Sequence, residues 1–370
     1  MANPAEKTLS QALAAFDFGG IIVGAPRFGQ GHINDTFCVY AQTEEGDCLR
    51  YILQRMSAAA FKHPDQLMKN ITGVTEHLRK KIIENGGDPS RETMTVMPTS
   101  DGKPYFTDEE GGAWRVYPFV ENTKCLQAAE TPELFYASAK AFGKFQAQLS
   151  DYPASTLFET IEKFHDTENR FANFMKALEA DALGRAASAQ AEIDFVLAHK
   201  ADCSVALDAL RSGKLPLRVT HNDTKLNNVL IDKDTDEGIC VIDLDTTMPG
   251  LSINDFGDSI RFGANHSAED EQDLSKVNFD IELFDIYTKG FLEGAGGALT
   301  PIELDYLPWG AKLMTLECGI RFLTDYLEGD HYFRTHRDGQ NLDRCRTQFK
   351  LVRDMEEQWE SMKAVVKKYS

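Results

Sequence analysis

Residues 219–249, VTHNDTKLNNVLIDKDTDEGICVIDLDTTMP, constrain this chain more than any other stretch. An apolar run enters a polar loop that carries His221, Asp223 and Asn228. Two β-like runs follow, 229–231 and 239–242, separated by a Lys/Asp/Thr/Glu/Gly turn that reads as a hairpin. The second run ends on Asp243, with Asp245 two residues later. The spacing H-x-D-x-x-x-x-N, then a hairpin, then an aspartate, is what kinase-like phosphoryl transfer requires. One carboxylate orients the attacking hydroxyl, while an amide oxygen and a second carboxylate hold Mg²⁺ against the nucleotide phosphates. Taken singly, each acid reads as part of a solvated acidic hairpin. The joint spacing, anchored by apolar strands at both ends, favours the chemical reading.

A chain of 370 residues is too long for one simple core and suits two lobes. The formal net charge of −19 argues against a general nucleic-acid or anionic-membrane surface, because such binding needs clustered Lys and Arg. It is compatible with a nucleotide held by a few local cations and Mg²⁺. The cysteines are scattered and never form a C-x-x-C pair, so reduced thiols are expected. The first residues carry no basic start followed by an apolar core, and no run is long enough to cross a bilayer. A cytoplasmic protein is the expectation.

Along the chain, residues 9–16 read as a short amphipathic helix. Residues 21–40 alternate as two strands around a turn at 28–35 that contains Gly29 and Gly31. A backbone without Cβ lets N–H groups approach phosphate oxygens, although an ordinary hairpin fits this segment equally well on its own. Residues 50–56 form a strand ending in Gln54 and Arg55, of which alternation sends only one to any given face. No lysine stands there, so Arg55 is the candidate phosphate cation, with a solvated arginine as the alternative. A helix is predicted over 64–85, and its Glu76 either pairs with Arg55 or faces solvent. Strands are expected over 92–106 and 112–120, with a turn at Asp101-Gly102. The second passes Pro118 into a connector where Phe119 and Val120 are positioned to meet an adenine. The boundary falls near Asn122, giving an N-terminal nucleotide-covering lobe of 1–122 and a helical C-terminal lobe of 123–370.

Beyond that boundary, helices are predicted over 131–149, capped by Thr131-Pro132, and over 157–178 and 191–210. Residues 179–190 read as a helical turn or exposed link. After the catalytic stretch come helices near 253–262, 281–293, 306–327 and 340–368. The fold class that results is α+β, a small antiparallel-sheet lobe and a larger helical lobe with an inserted catalytic hairpin.

At this point the motifs resemble a known family. Thr220-His221-Asn222-Asp223 through Asn228, then Val241-Ile242-Asp243-Leu244-Asp245, is similar to the aminoglycoside phosphotransferase and choline kinase family, which has a protein-kinase-like fold. More narrowly, GHINDTF at 31–37, YILQRM at 51–56, HNDTKLNN at 221–228 and DLDTTMPG at 243–250 resemble the bacterial N-acetylhexosamine 1-kinases. The resemblance covers most of the chain in order and implies ATP, Mg²⁺ and transfer to the anomeric hydroxyl of N-acetylglucosamine or N-acetylgalactosamine. It gives Asp223 the base or hydroxyl-orienting place and Asn228 and Asp243 the Mg²⁺ places, with Asp245 a supporting acid. Gly29, Gly31, His32 and Asn34 fall on the loop over phosphates and sugar. Phe262, Gly263, Arg321 and Tyr332 fall on the acceptor side, Arg321 toward a sugar oxygen or acetamido carbonyl and Tyr332 as an aromatic wall. On sequence alone Arg321 is an ordinary helix arginine. The missing strand lysine departs from the protein-kinase pattern.

Two other readings compete. One keeps the fold and reaction but takes another sugar, an amino alcohol or an aminoglycoside. The other is a catalytically silent binding module, which the joint presence of His221, Asp223, Asn228 and Asp243 disfavours. A monomer acting on ATP and a small sugar is expected, although nothing in the sequence decides the oligomeric state.

Overall fold

The computed structural model describes residues 4–29, 33–128 and 130–370. Gly31 and His32 therefore lie outside the described residues. The chain forms two compact units, one of residues 1–123, 155–162 and 239–248, the other of 124–154, 163–238 and 249–370.

The first unit starts with α1 (Pro4–Ala15), β1 (Ile21–Gly24), β2 (Asp35–Gln42) and β3 (Cys48–Arg55). It continues through α2 (Pro64–Glu84), α3 (Pro89–Glu92), β4 (Phe106–Thr107) and β5 (Ala113–Pro118). The five strands make one antiparallel sheet in the order β1-β2-β3-β5-β4. Alternation along β3 and β5 divides their side chains between two faces. Leu53, Trp114 and Val116 join Ala12 and Phe16, at and just after α1, in a buried apolar cluster. The register pairs Gln54 with Arg115 and Arg55 with Trp114. Directly opposed residues share a face, so Arg115 and Gln54 project from the side opposite Arg55. Helix α2 buries Leu67, Ile71, Val74, Leu78 and Ile82, the stripe its periodicity predicts.

After β6 (Thr123–Cys125), the second unit is mostly helical: α4 (Pro132–Gln148), α5 (Thr167–Ala180), α6 (Gln190–Ala198) and α7 (Val205–Arg211). Short strands follow, β7 (Arg218–Thr220), β8 (Val229–Asp232), β9 (Gly238–Val241) and β10 (Met248–Gly250). Then come α8 (Ser252–Gly263), α9 (Ile281–Ala295), α10 (Pro301–Glu328), α11 (Gln340–Glu357) and α12 (Trp359–Tyr369). Thr131 caps α4 by accepting from the Leu134 N–H at 3.3 Å. The turn between β8 and β9 is closed by the Asp232 N–H donating to the Glu237 carbonyl. Helices α8 and α10 cross with backbones in contact: a Cβ on Gly257 would lie 2.1 Å from the Gly310 carbonyl oxygen. No helix among the described residues is long and apolar enough to cross a membrane.

The α+β class is met, and several predicted boundaries are corrected. Residues 92–106 are not a continuous strand; Pro98 and Pro104 remove ladder donors, leaving only the two-residue β4. The turn at Asp101-Gly102 does form, with the Gly102 N–H donating to the Thr99 carbonyl. The helix expected from 157 begins only at Thr167, where Asp166 caps it. The preceding chain is committed elsewhere: Asn70 bonds both the carbonyl and the N–H of Phe158. The predicted helix 191–210 breaks after Ala198 into α6, a 3-10 turn at Asp202–Ser204 and α7. The helix 340–368 breaks at Gln358.

Candidate functional site

In the first unit, the turn between β1 and β2 contains Gly29 at φ +79°, with no atom within 4 Å of the position a Cβ would take. The glycine is there for a left-handed backbone rather than for space. Phe28, beside it, meets Phe119 edge-on at 5.8 Å, and the Arg50 guanidinium lies 3.9 Å from the Phe119 centroid. The Val120 carbonyl accepts from the Thr123 hydroxyl at 2.8 Å.

The far end of the same turn is tied to the aspartate motif. Asn34 Oδ1 accepts from the Ser57 N–H at 3.0 Å, and its Nδ2 donates to Asp245 Oδ2 at 2.7 Å. The other Asp245 oxygen lies 2.5 Å from Arg115 Nη1, and the Arg115 and Asp245 side chains are only 2% and 5% exposed. Arg115 also donates from Nε and Nη2 to Gln54 Oε1, at 3.1 and 2.8 Å. Burial alone would lower the Arg115 pKa. The charge of Asp245, with a further contribution from Asp243, outweighs burial and keeps the guanidinium charged. Asp243 itself sits at φ 60°, ψ 55°, a left-handed conformation that sets it off from the strand it follows.

Arg55, the expected phosphate cation, is directed elsewhere. It lies over Trp114 at 5.8 Å and within 3.6 Å of Asp108 and 3.4 Å of Glu110. Glu76 is exposed, as its solvent-facing alternative requires. The cation on the Asp245 side is Arg115, which sequence reasoning missed because only the β3–β5 register reveals its face.

In the second unit the loop 221–224 is held by α8. Asp255 accepts from the backbone N–H groups of His221 and Asn222, at 2.9 and 2.7 Å. One turn later Asp258 accepts from the Thr224 N–H at 3.0 Å. Asp223 lies between these anchored residues. Burial pushes the Asp255 pKa up against the bonds it accepts. At Asp258 burial also acts upward, but Arg261 and Lys225 outweigh it and hold the carboxyl below its ordinary range. Asn222 occupies φ 64°, a turn that brings Asp223 out of line with β7. Asn228 donates from Nδ2 to the Asp223 carbonyl at 2.8 Å and to its carboxylate at 3.2 Å, while Lys225 Nζ lies 2.8 Å from the other carboxylate oxygen. The Asn228 amide oxygen thus points away from Asp223 and is the atom suited to a hard cation.

The acceptor candidates fall into two groups. Arg321 donates to the Tyr332 hydroxyl at 3.4 Å, with its guanidinium 5.6 Å from that ring and 5.2 Å from Phe333. Tyr332 is 72% exposed, yet its backbone is fixed, because Asp325 accepts the N–H groups of His331, Tyr332 and Phe333 at 2.8 to 2.9 Å. Phe262 and Gly263 lie at the end of α8, and a Cβ on Gly263 would fall 2.3 Å from the Phe135 ring. That glycine is required by packing whatever else it touches. Asp255, Asp258 and Asp325 carried no motif signal beyond acids in helices.

His199, Asp202 and Glu356 bring ligand atoms within 4.8 Å of one another. Lys312 Nζ already stands 2.8 Å from both acids, so the cation there is an ammonium.

The family model described as "Phosphotransferase enzyme family" matches residues 24–285. Among solved structures, an amicoumacin kinase bound to AMP-PNP, Ca²⁺ and amicoumacin is similar, with TM-score 0.60 and 14% identity over 96% of this chain and 94% of that one. An aminoglycoside phosphotransferase from Alicyclobacillus acidocaldarius gives TM-score 0.60 at 13% identity, covering 97% and 96%. A choline kinase from Cryptosporidium parvum gives 0.57 at 11% identity, covering 94% and 93%. At such identities the likeness speaks for the fold, a protein-kinase-like one.

Proposed function

The chain belongs to the phosphotransferase enzyme family, and from that premise we propose that it is an ATP- and Mg²⁺-dependent kinase that phosphorylates the C1 hydroxyl of N-acetylhexosamines. Small-molecule phosphoryl transfer follows from the family; the sugar acceptor is the part we propose. The observation that carries it is the pairing of Arg321 with the exposed ring of Tyr332. A guanidinium donates to hydroxyl and acetamido oxygens, and an aromatic face suits the apolar face of a sugar ring. Arg170 strengthens the case: burial and the nearby Arg321 charge both lower its pKa. Two neighbouring guanidiniums disfavour the cationic acceptors that choline-type and aminoglycoside kinases take.

Asp223 is the carboxylate that orients the C1 hydroxyl and accepts its proton late, since phosphoryl transition states are loose and the task is mainly positioning. Lys225 Nζ, 2.8 Å from one Asp223 carboxylate oxygen, helps to hold that side chain in place. Asn228, through its amide oxygen, and Asp243 would each offer Mg²⁺ a hard oxygen donor. Bound Mg²⁺ would offset charge on the nucleotide phosphates. Asp245, engaged by Arg115 and Asn34, serves as support behind Asp243 and pins the end of the glycine-bearing turn. Phe119 and Val120 serve the adenine, with Gly29 over the phosphates.

A coupled ADP-release assay over N-acetylglucosamine, N-acetylgalactosamine, other sugars, amino alcohols and aminoglycosides tests this, with the phosphate position read by NMR. A 1-phosphate of an N-acetylhexosamine is the expected product. Turnover only with amines overturns the acceptor assignment.

A further inference from the structure

The Asn222–Asp223 peptide is gripped from both sides by imidazoles. Its N–H donates to His221 Nδ1 at 3.3 Å, and its carbonyl, that of Asn222, lies 3.0 Å from His165 Nε2. His165 comes from just before α5 and is buried against α10, where its Nδ1 lies 3.0 Å from Glu317 Oε1. A backbone carbonyl can only accept, and an ionised carboxylate can only accept. A neutral imidazole has one donor and would leave one of these contacts as two facing acceptors. Both are satisfied only if both ring nitrogens carry protons.

We propose that His165 is a positioning residue which acts as an imidazolium: fixed by Glu317, it holds the Asn222 carbonyl and thereby the direction of the Asp223 side chain. This rests on the reading of Asp223 as the hydroxyl-orienting carboxylate. The groups that face the ring fit the charge. Glu317 on α10 is the direct partner and is itself steadied by the Thr167 hydroxyl at 2.7 Å. Asp258 on α8 adds a second negative charge near the ring, and Arg170 on α5 acts on Glu317 from the other side. Burial lowers the His165 pKa, but Glu317 and Asp258 outweigh it, so the ring titrates above its ordinary range. The arrangement places a fixed charge behind the peptide that carries the reacting carboxylate. Asn222 at φ 64° takes a left-handed backbone that its side chain supports locally through hydrogen bonds with Thr220.

The test uses the full chain. Histidine ring nitrogens are followed by ¹⁵N NMR from acid to alkaline pH, with His165 assigned by its loss in His165→Gln. Wild-type protein is expected to keep both ring protons beyond the pH at which a free imidazole loses one. Glu317→Gln keeps a hydrogen-bonding side chain but removes the charge, and its His165 should titrate well below the wild-type ring, because burial is then no longer outweighed by Glu317. In that variant kcat should fall about 10- to 100-fold as the ring loses its proton, the scale of a small misplacement of a reacting group. Its KM for ATP should not move, and wild-type kcat should stay flat over the same range. A ring that is neutral at pH 7 in wild-type protein overturns the inference, as does a pH-independent kcat in Glu317→Gln. The ring titration needs no acceptor, so failure of the whole sugar panel in wild-type protein would refute the function and leave the protonation result standing.

Discussion

Deleting one partner of the Arg115–Asp245 pair should cost far more than deleting both. At an effective dielectric of about 20, opposite charges about 4 Å apart attract by about 4 kcal/mol. Withdrawing each ion from water costs several kcal/mol, so a pair this buried nearly breaks even as a unit. Arg115→Met leaves a carboxylate that is 5% exposed with Asn34 as its one hydrogen-bond donor among the described residues. Asp245→Leu leaves a guanidinium that is 2% exposed beside Gln54. Each single change should lose about 3–5 kcal/mol, and the double change about 1 kcal/mol or less. Urea unfolding followed by fluorescence provides the assay. Trp114 precedes Arg115 on β5, and replacing Trp309 and Trp359 by Phe makes it the sole reporter of that sheet. Single losses below about 1 kcal/mol, the range of exposed ion pairs, would refute the reasoning. So would a double variant that loses the sum of the singles.

Asp223→Asn should reduce turnover by about 10²- to 10⁴-fold with ATP affinity kept, and near-wild-type turnover removes Asp223 from its role. Asp243→Ala should weaken nucleotide binding by calorimetry when Mg²⁺ is present and not when it is absent; equal affinities in the two cases contradict a metal role. Gly263→Ala pushes a methyl toward the Phe135 ring and should cost about 1–3 kcal/mol of stability. An unchanged melting temperature with a raised acceptor KM would instead make Gly263 a substrate contact. The His165–Glu317 pair predicts a bell-shaped stability contribution. Glu317 is lowered in the fold, so its share is full above the ordinary 4.5 and is lost as pH falls through the folded value. His165 is raised, so its share is full below 6.5 and is lost as pH rises through the folded value. The Tm difference between wild-type and Glu317→Gln should peak between those values, and a difference that grows steadily with pH would refute the sign.

What the sequence revealed here, and what it hid, divides along the length scale of the interactions. The loop that carries Asp223 and Asn228 and the hairpin that leads to Asp243 were legible because they are chain-local. The α2 stripe and the Thr131 cap were legible for the same reason. Arg115 and Gln54 were not, because their shared face depends on how β3 registers with β5. His165 was hidden between Phe164 and Asp166 in a segment expected to be helical, and its partners Glu317 and Asn222 are far away in sequence. Asp255 and Asp258 read as ordinary helix acids; only the fold turns their oxygens toward the N–H groups of 221, 222 and 224. The misread strand at 92–106 shows the reverse error, an apolar alternation whose prolines outweighed its pattern.

Helix α10 carries Glu317, Arg321 and Asp325 at intervals of four residues, on one side of a 28-residue rod. At about 1.5 Å per residue the first and last are about 12 Å apart along the axis. Glu317 reaches the loop that carries Asp223 through His165, and Asp325 fixes the Tyr332 segment about two turns further along. If Asp223 and Tyr332 act as proposed, the distance from reacting atom to recognition ring is graduated in helical turns, like marks on a measuring rod. One inserted residue would rotate the far marks by about 100°, whereas changes within 331–333 would alter only what is measured. New acceptors are thus most readily reached by exchanging the tip of the rod and leaving its scale intact.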